Sequence, residues 1–402
     1  MTRRLDAPWM SAPATVAVMS ALEAANGEAR FVGGCVRDAL LGRPVVDIDI
    51  ATTLTPPQTI AALEAARLKA APTGVEHGTV TAIAEGKPFE VTTLRRDVET
   101  DGRRAVVAFT DDWAEDAGRR DFRLNALYLE LSGALHDPTG GGIADAEAGR
   151  IVFVGDAPTR IREDYLRILR FFRFFAWYGK GAPDPEGLAA CKALAAGVEG
   201  LSGERLAKEL LKLLAAADPV PAVRLMAGAG VLDRILPGAP DVRRFEALAA
   251  LSSDPLLRLA ALLPSERDAL LAAASRLRLA NAQRDRLVAT APGDGLTGPG
   301  LSPVAARRAL YALGVQAVRD RALLGSAADG REAWGVLLDE AEAWSPKRFP
   351  VRGADAQALG LTQGPVLGRL LKAAEAWWID QDFQPDREAV LAKLASLAKQ
   401  AP

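Results

Sequence analysis

The spacing of apolar residues changes character once along the chain. Between about residues 29 and 140 apolar positions come in short runs broken by glycine and polar clusters. Beyond about residue 155 alanine and leucine dominate, and apolar positions recur at helical spacing. In the first stretch, ARFVGG reads as a strand entering a glycine turn, and CVRDALLG as a short helix ending at Gly42. VVDIDIAT reads as a strand, and TPPQTIAALEAARLK as a helix with proline at its start. TVTAI and FEVTTL, either side of AEGKP, read as a hairpin. RRDVETDGRRAVVAF reads as a polar, mobile loop leading to another strand; RDFRLNALYLEL begins as a helix and ends as a strand.

In the second stretch, PTRIREDYLRILRFFRFFAWYG reads as one long helix. SGERLAKELLKLLAAADP reads as another, with Ser202 as its N-cap. Helices continue to the end, broken by segments such as LPGAPD, APGDGLTGPGLSP and SPKRFPVRG, with no tandem repeat. The expected fold class is α+β: a mixed α/β head over 1–140, then an all-α neck over 141–220, body over 221–300 and tail over 301–402.

Composition narrows the chemistry. The 402 residues are 49% hydrophobic and 25% charged, an ordinary globular profile. The net charge of −2 gives no global signature of nucleic-acid binding and leaves open only a local basic patch. Two cysteines, Cys35 and Cys191, exclude a disulfide framework and point to the cytoplasm. The N-terminus lacks the continuous apolar core of a signal peptide, and no run is apolar enough to span a membrane. The only histidines are His77 and His136, so a multi-histidine zinc site cannot be built. His136-Asp137 spells the HD dipeptide of metal-dependent phosphohydrolases, but the following PTGG makes it a turn.

Asp47 and Asp49 stand one residue apart in an apolar run. In a strand they share a face, roughly 6.6 Å apart, with Val46, Ile48 and Ile50 on the packed face. Converging carboxylates repel and raise each other's pKa unless a cation lies between them. Mg²⁺ suits such a pair, with phosphate oxygens completing its octahedron; the bland alternative is a solvated sheet face. The preceding VGGCVRD shifts the balance. Gly33 and Gly34 let backbone N–H groups approach an anion, and Arg37 can reach the same anion with a fork of donors. The G-K-[ST] ending of a P-loop is missing.

FVGGCVRDALLGRPVVDIDIAT resembles the nucleotidyltransferase motif of class II tRNA nucleotidyltransferases (CCA-adding enzymes) and the related bacterial poly(A) polymerases. The resemblance implies that Gly34 and Arg37 contact the triphosphate and that Asp47 and Asp49 are catalytic and carry Mg²⁺. Glu90, in FEVTTLR, is positioned as a third carboxylate. EDAGRRDFRLNALY resembles the second family motif, which makes Arg120 a nucleotide contact and gives Asp121 and Asn125 a part in setting the ribose and the local fold. Arg123 stands where the family usually has threonine. HDPTGGGIADAEAGRI resembles the hinge between head and neck.

EDYLRILRFFRF resembles the base-recognition helix. By that resemblance Asp164 and Arg167 are the protein template, with Arg170 and Arg173 as further nucleotide contacts. The chemistry agrees: cytosine and adenine each present an amino donor beside a ring-nitrogen acceptor, which match a carboxylate and a guanidinium. Phe171, Phe172, Phe174 and Phe175 read as core. GERLAKELLKLL resembles the next motif, with Glu204, Arg205 and Glu209 bracing that helix.

The implied activity is addition of CCA to a tRNA 3′ end from CTP and ATP, releasing pyrophosphate. A poly(A) polymerase, or an enzyme adding only CC or only A, shares the scaffold. PTGVEHGTVTAI lacks the arginine-rich strand that usually follows the head motif in poly(A) polymerases. A non-catalytic RNA-binding relative is the reading from another class. The implied partner is the acceptor/T arm of tRNA, tracked by Arg276, Arg278, Arg284, Arg286, Arg307, Arg308, Arg319 and Arg321, with no membrane or protein partner.

Overall fold

The computed structural model describes residues 3–101, 104–358 and 364–400. Two compact units emerge, one running through Pro237 and including Arg276–Arg278, the other comprising Gly238–Ser275 and the chain from Leu279 onward.

The first unit opens with α1 (Pro13–Ala24), β1 (Ala29–Val32), α2 (Gly34–Leu40), β2 (Asp49–Thr52) and α3 (Pro56–Ala65). Then come β3 (Lys69–Gly74), β4 (Thr79–Ala84), β5 (Lys87–Thr93), β6 (Arg95–Asp101) and β7 (Arg104–Phe109). Next are α4 (Trp113–Gly118), a 3-10 turn at Arg123–Asn125, β8 (Tyr128–Leu129), β9 (Leu135–His136) and α5 (Gly142–Ala148). The helical remainder contains α6 (Ala157–Glu163), α7 (Leu166–Tyr178), α8 (Pro185–Ala193) and α9 (Gly203–Leu214).

Seven strands form one sheet in the order β3-β4-β5-β2-β1-β8-β9. The pairing of β2 with β5 is parallel, and the others are antiparallel. On one face α1 and α3 bury Val18, Leu22 and Leu63 against Phe31, Ile50, Val80 and Val91. The other face packs Val32, Ala51 and Tyr128 against Ala117 of α4 and Val154. α3 starts as its sequence suggests, with Pro56 in the first turn and the Thr55 N–H donating to Gln58 Oε1 at 2.9 Å.

The mixed head followed by a helical remainder matches the expected fold class. Three local expectations are corrected. First, the strand around the acid pair begins only at Asp49, and Val46 is 87% exposed instead of packed. The β1 ladder with β2 ends at Phe31↔Ile50 and the β5 ladder begins at Glu90↔Asp49, so residues 45–48 have no strand to pair with on either side. Second, the expected polar loop is a separate two-stranded ribbon, β6 paired with β7; residues 102–103 lie outside the described residues. Third, the expected long helix is broken into α6 and α7 at Asp164, whose backbone is extended at φ −155°, ψ 105°. Its carboxylate accepts from the Leu166 N–H at 3.1 Å, a local bond that competes with helix continuation.

Four phenylalanines of α7, Phe171, Phe172, Phe174 and Phe175, are buried, as expected of core. His136 lies 2.7 Å from Glu130, and Asp137 receives the Gly140 and Ile143 N–H groups, so HD here is a turn.

Among its described residues the second unit contains helices and the segments that join them, and no strand. Of the eight arginines proposed to track RNA, Arg286 pairs with Asp254 and Asp320, Arg307 with Glu340 and Asp382, and Arg321 with Asp294. Arg284 pairs with Asp285 and Arg308 with Asp380. In the first unit Arg278 pairs with Glu204, and Arg276 donates to the carbonyls of Leu201 and Glu199. Among the described contacts only Arg319 of the eight has no such partner.

Candidate active site

The glycine turn joins β1 to α2. Gly33 holds φ +73°, ψ −123°, a conformation that only glycine adopts readily. Two guanidinium groups lie over this turn. Arg120 Nη1 is 3.6 Å from where a Cβ on Gly33 would stand, and Arg37 Nη2 is 3.7 Å from the same point on Gly34.

Neither arginine hangs free. Arg37 is 6% exposed. Its Nη1 donates to Asn125 Oδ1 at 2.6 Å, its Nη2 to Tyr178 Oη at 2.6 Å, and Nε and Nη2 to Asp38 at 3.0 Å. Arg120 donates through Nη2 and Nε to Asp116 Oδ2 at 2.9 and 3.2 Å. Those two bonds leave its Nη1 facing the turn. Asp116 is 1% exposed and also accepts from Arg119 and from Tyr128 Oη. Burial alone pushes its pKa up, but the charges of Arg120 and Arg119 and the Tyr128 hydroxyl together hold it at about 2.

The acid pair lies beside this cluster. Asp49 is half-buried and aligned with Glu90 of β5, and Asp47 is exposed in the segment before β2. Burial, then the charge of Glu90, pushes the Asp49 carboxyl up to about 6; Arg120 opposes this and Asp47 adds to it. A hard cation bound by Asp47 and Asp49 would relieve that repulsion, so the donor set fits a divalent metal. Among the described residues no three His, Cys, Asp or Glu side chains already converge as a metal cage. Two protein carboxylates leave room for phosphate oxygens.

The base-recognition residues are placed differently from expectation. Asp164 and Arg167 do not share one continuous helix, because α6 ends before Asp164 and α7 begins at Leu166, although the Arg167 N–H still donates to the Asp164 carbonyl at 3.0 Å. Asp164 Oδ2 accepts from Arg205 Nη2 of α9 at 2.6 Å. Arg167 Nη1 donates to Glu163 at 2.5 Å and to the Arg160 carbonyl, at the end of α6, at 2.6 Å. Arg170 Nε donates to Asp121 at 2.8 Å, and Arg173 Nε to Glu209 at 2.5 Å. Glu209 of α9 is buried and also lies 3.7 Å from Arg170. Asp121 in turn accepts from Asn125 Nδ2 at 3.0 Å. Arg123 faces Asp145 of α5 at 3.8 Å.

Four residues of this arrangement carried no expectation: Asp116, Tyr128, Glu163 and Tyr178. Asp116 stands three and four residues before Arg119 and Arg120, a spacing that brings side chains together on a helix. Tyr178 gives no such signal, being 141 residues from Arg37.

The comparisons with known proteins follow the same lines. Residues 29–152 match the family described as "Poly A polymerase head domain", and 182–242 the one described as "Probable RNA and SrmB- binding site of polymerase A". The zebrafish (Danio rerio) protein named CCA tRNA nucleotidyltransferase 1, mitochondrial, is 35% identical over 390 residues, covering 92% of this chain and 87% of its own length. The chain belongs to the CCA-adding tRNA nucleotidyltransferase family. Within that family, the CCA-adding enzyme of Leuconostoc citreum is 40% identical over 199 residues, 49% of this chain and 48% of that protein. The solved structure of the Bacillus stearothermophilus CCA-adding enzyme in complex with CTP superposes with a TM-score of 0.72 at 26% identity, covering 96% of this chain and 97% of that one. No helix among the described residues is long and apolar enough to cross a membrane.

Proposed function

We propose that this protein completes the CCA end of tRNA, joining CMP and AMP units from CTP and ATP to the 3′-hydroxyl and releasing pyrophosphate. The observation that carries the reading is the glycine turn covered by Arg37 and Arg120 beside the Asp47–Asp49 pair. Cationic side chains beside paired carboxylates support binding of a triphosphate together with its counter-ion.

Gly33 and Gly34 let the triphosphate approach the backbone, and Arg120 Nη1, left over from its bonds to Asp116, meets it from the side. Arg37, over the same turn at Gly34, supports the same anion. Asp47 and Asp49 hold a divalent ion, Mg²⁺ by its preference for oxygen ligands, with Glu90 adjacent. When bound, that ion supplies charge stabilisation for in-line attack on the α-phosphate. Asp164 accepts from the exocyclic amine of cytosine or adenine, and Arg167 donates to the ring nitrogen through its remaining guanidinium N–H groups. Uracil and guanine mismatch both contacts. Buried polar mismatches cost on the order of 1–3 kcal/mol each, enough for selection without a nucleic-acid template.

Residues 1–140 serve as the catalytic head and 141–220 as the base-reading neck. The body and tail hold the tRNA, with Arg319, the one of the eight named arginines whose side chain has no described partner, meeting a phosphate. The two unpaired cysteines support a cytoplasmic site of action; the zebrafish relative is named mitochondrial. The alternative of poly(A) synthesis draws on the wording of the head-domain match. Asp47→Ala and Asp49→Ala are expected to abolish nucleotide incorporation with folding intact; retained incorporation in either variant overturns the assignment.

A further inference from the structure

The helix that carries the base-reading arginine also reaches the phosphate end of the site. Tyr178 is the last residue of α7, and its hydroxyl receives the Arg37 Nη2 hydrogen at 2.6 Å. Its ring lies under the same guanidinium, with Arg37 Cζ 4.0 Å from the ring centroid. Two turns earlier on α7, Arg170 donates to Asp121 at 2.8 Å. Asp121 accepts from Asn125 at 3.0 Å, and Asn125 accepts from Arg37 at 2.6 Å. The bonds therefore close a circuit: from Arg170 through Asp121, Asn125 and Arg37 to Tyr178, and back along α7.

Such a circuit fixes more than either bond alone. Arg37 is a long side chain with several rotatable bonds, and its head stays over Gly34 only if it is held from more than one direction. Asp38 and Asn125 hold it from the head. Tyr178 alone among its described hydrogen-bond partners holds it from α7.

We propose that Tyr178 is a positioning residue: it sets the Arg37 guanidinium at the triphosphate turn and ties that turn to the base-reading helix. The inference rests on the reading that Arg37 meets the triphosphate. Tyr178 acts through Arg37, with no role at the substrate or metal itself. Its loss therefore acts on nucleotide affinity through Arg37 and leaves base choice to Asp164 and Arg167.

The test is steady-state incorporation by the full-length enzyme on a tRNA lacking its terminal nucleotides. The variants are Tyr178→Phe, Arg37→Lys and the double replacement, each checked by thermal unfolding. Tyr178→Phe keeps the ring and removes only the hydroxyl. It is expected to raise KM for CTP and for ATP by the same factor, about tenfold, as for a lost hydrogen bond to a charged group. The preference for CTP over UTP stays at the wild-type value and Tm stays within about two degrees. The double variant is expected to be no worse than Arg37→Lys alone by more than about twofold, because both act through one guanidinium. If Arg37→Lys raises KM and Tyr178→Phe does not, or if the two effects multiply, the positioning role is wrong. If Arg37→Lys itself leaves KM unchanged, the reading of Arg37 fails first and takes this inference with it. A Tyr178→Phe enzyme that loses stability with unchanged KM also overturns the proposal.

Discussion

Asp164 Oδ2 accepts a hydrogen bond from Arg205 Nη2 at 2.6 Å, so the carboxylate proposed to read the base is oriented from α9 and not by Arg167. Both side chains are partly exposed, which leaves Asp164 lone pairs for a ligand.

Arg205→Ala is therefore expected to loosen base choice before it stops chemistry. A charge-assisted bond contributes about 1.5–3 kcal/mol, so misincorporation of UMP relative to CMP rises by about tenfold. Competition between CTP and UTP on one tRNA measures it. Unchanged selectivity contradicts an orienting role for Arg205.

The crowding of Asp49 by Glu90 and Asp47 predicts a link between metal and stability. Adding Mg²⁺ is expected to raise the melting temperature of the wild-type protein, since a ligand that binds only the folded state stabilises it by mass action. Asp49→Asn removes one of the converging charges, so the metal-free variant is expected to melt at or above the wild type, with the Mg²⁺ response lost. A variant that keeps the full response places the metal elsewhere.

Asp116 anchors Arg120 and carries a pH signature. Its folded pKa of about 2 lies below the unfolded value of about 3.9, so its stabilising contribution is complete well above that value and is lost as pH falls through about 2. Asp116→Asn is expected to cost about 2 kcal/mol in urea unfolding at pH 7, with the difference from wild type shrinking to about half by pH 3. A difference that does not change with pH assigns the loss to packing alone.

The glycine turn was legible, and the acid pair could be singled out, because both are local features of the sequence. Gly33 needs a backbone conformation only glycine adopts readily, and the Asp47–Asp49 spacing lies within one short segment. The exposure of Val46 was not legible. It depends on where β1 and β5 stop, and both partners are remote in sequence. Propensity favoured one helix through Asp164, with apolar residues at helical spacing on both sides. The break comes from a side chain bonding its own backbone while α9 engages the same carboxylate. The ribbon β6–β7 hid behind polar residues because it pairs with itself outside the main sheet. The Arg37–Tyr178 contact joins segments that no motif spacing connects.

Most arginines suggested as phosphate trackers are held by carboxylates in the structure, which makes Arg319 the informative one. Arg319→Ala is expected to weaken tRNA binding and lower the slope of log affinity against log salt by about one. Arg307→Ala, which breaks the pairs with Glu340 and Asp382, is expected to change stability more than the salt slope. The reverse pattern contradicts this assignment.

Product length decides whether the enzyme completes CCA without a nucleic-acid template. Transcripts of one tRNA ending before CCA, after C and after CC are incubated with CTP, ATP or both. Growth by three, two and one nucleotides respectively is expected with both substrates, addition of C residues only where CTP is given alone to the shortest transcript, and a stop at CCA. Long adenosine tails on any of the three, or no extension by an enzyme with Asp47 and Asp49 intact, would contradict it.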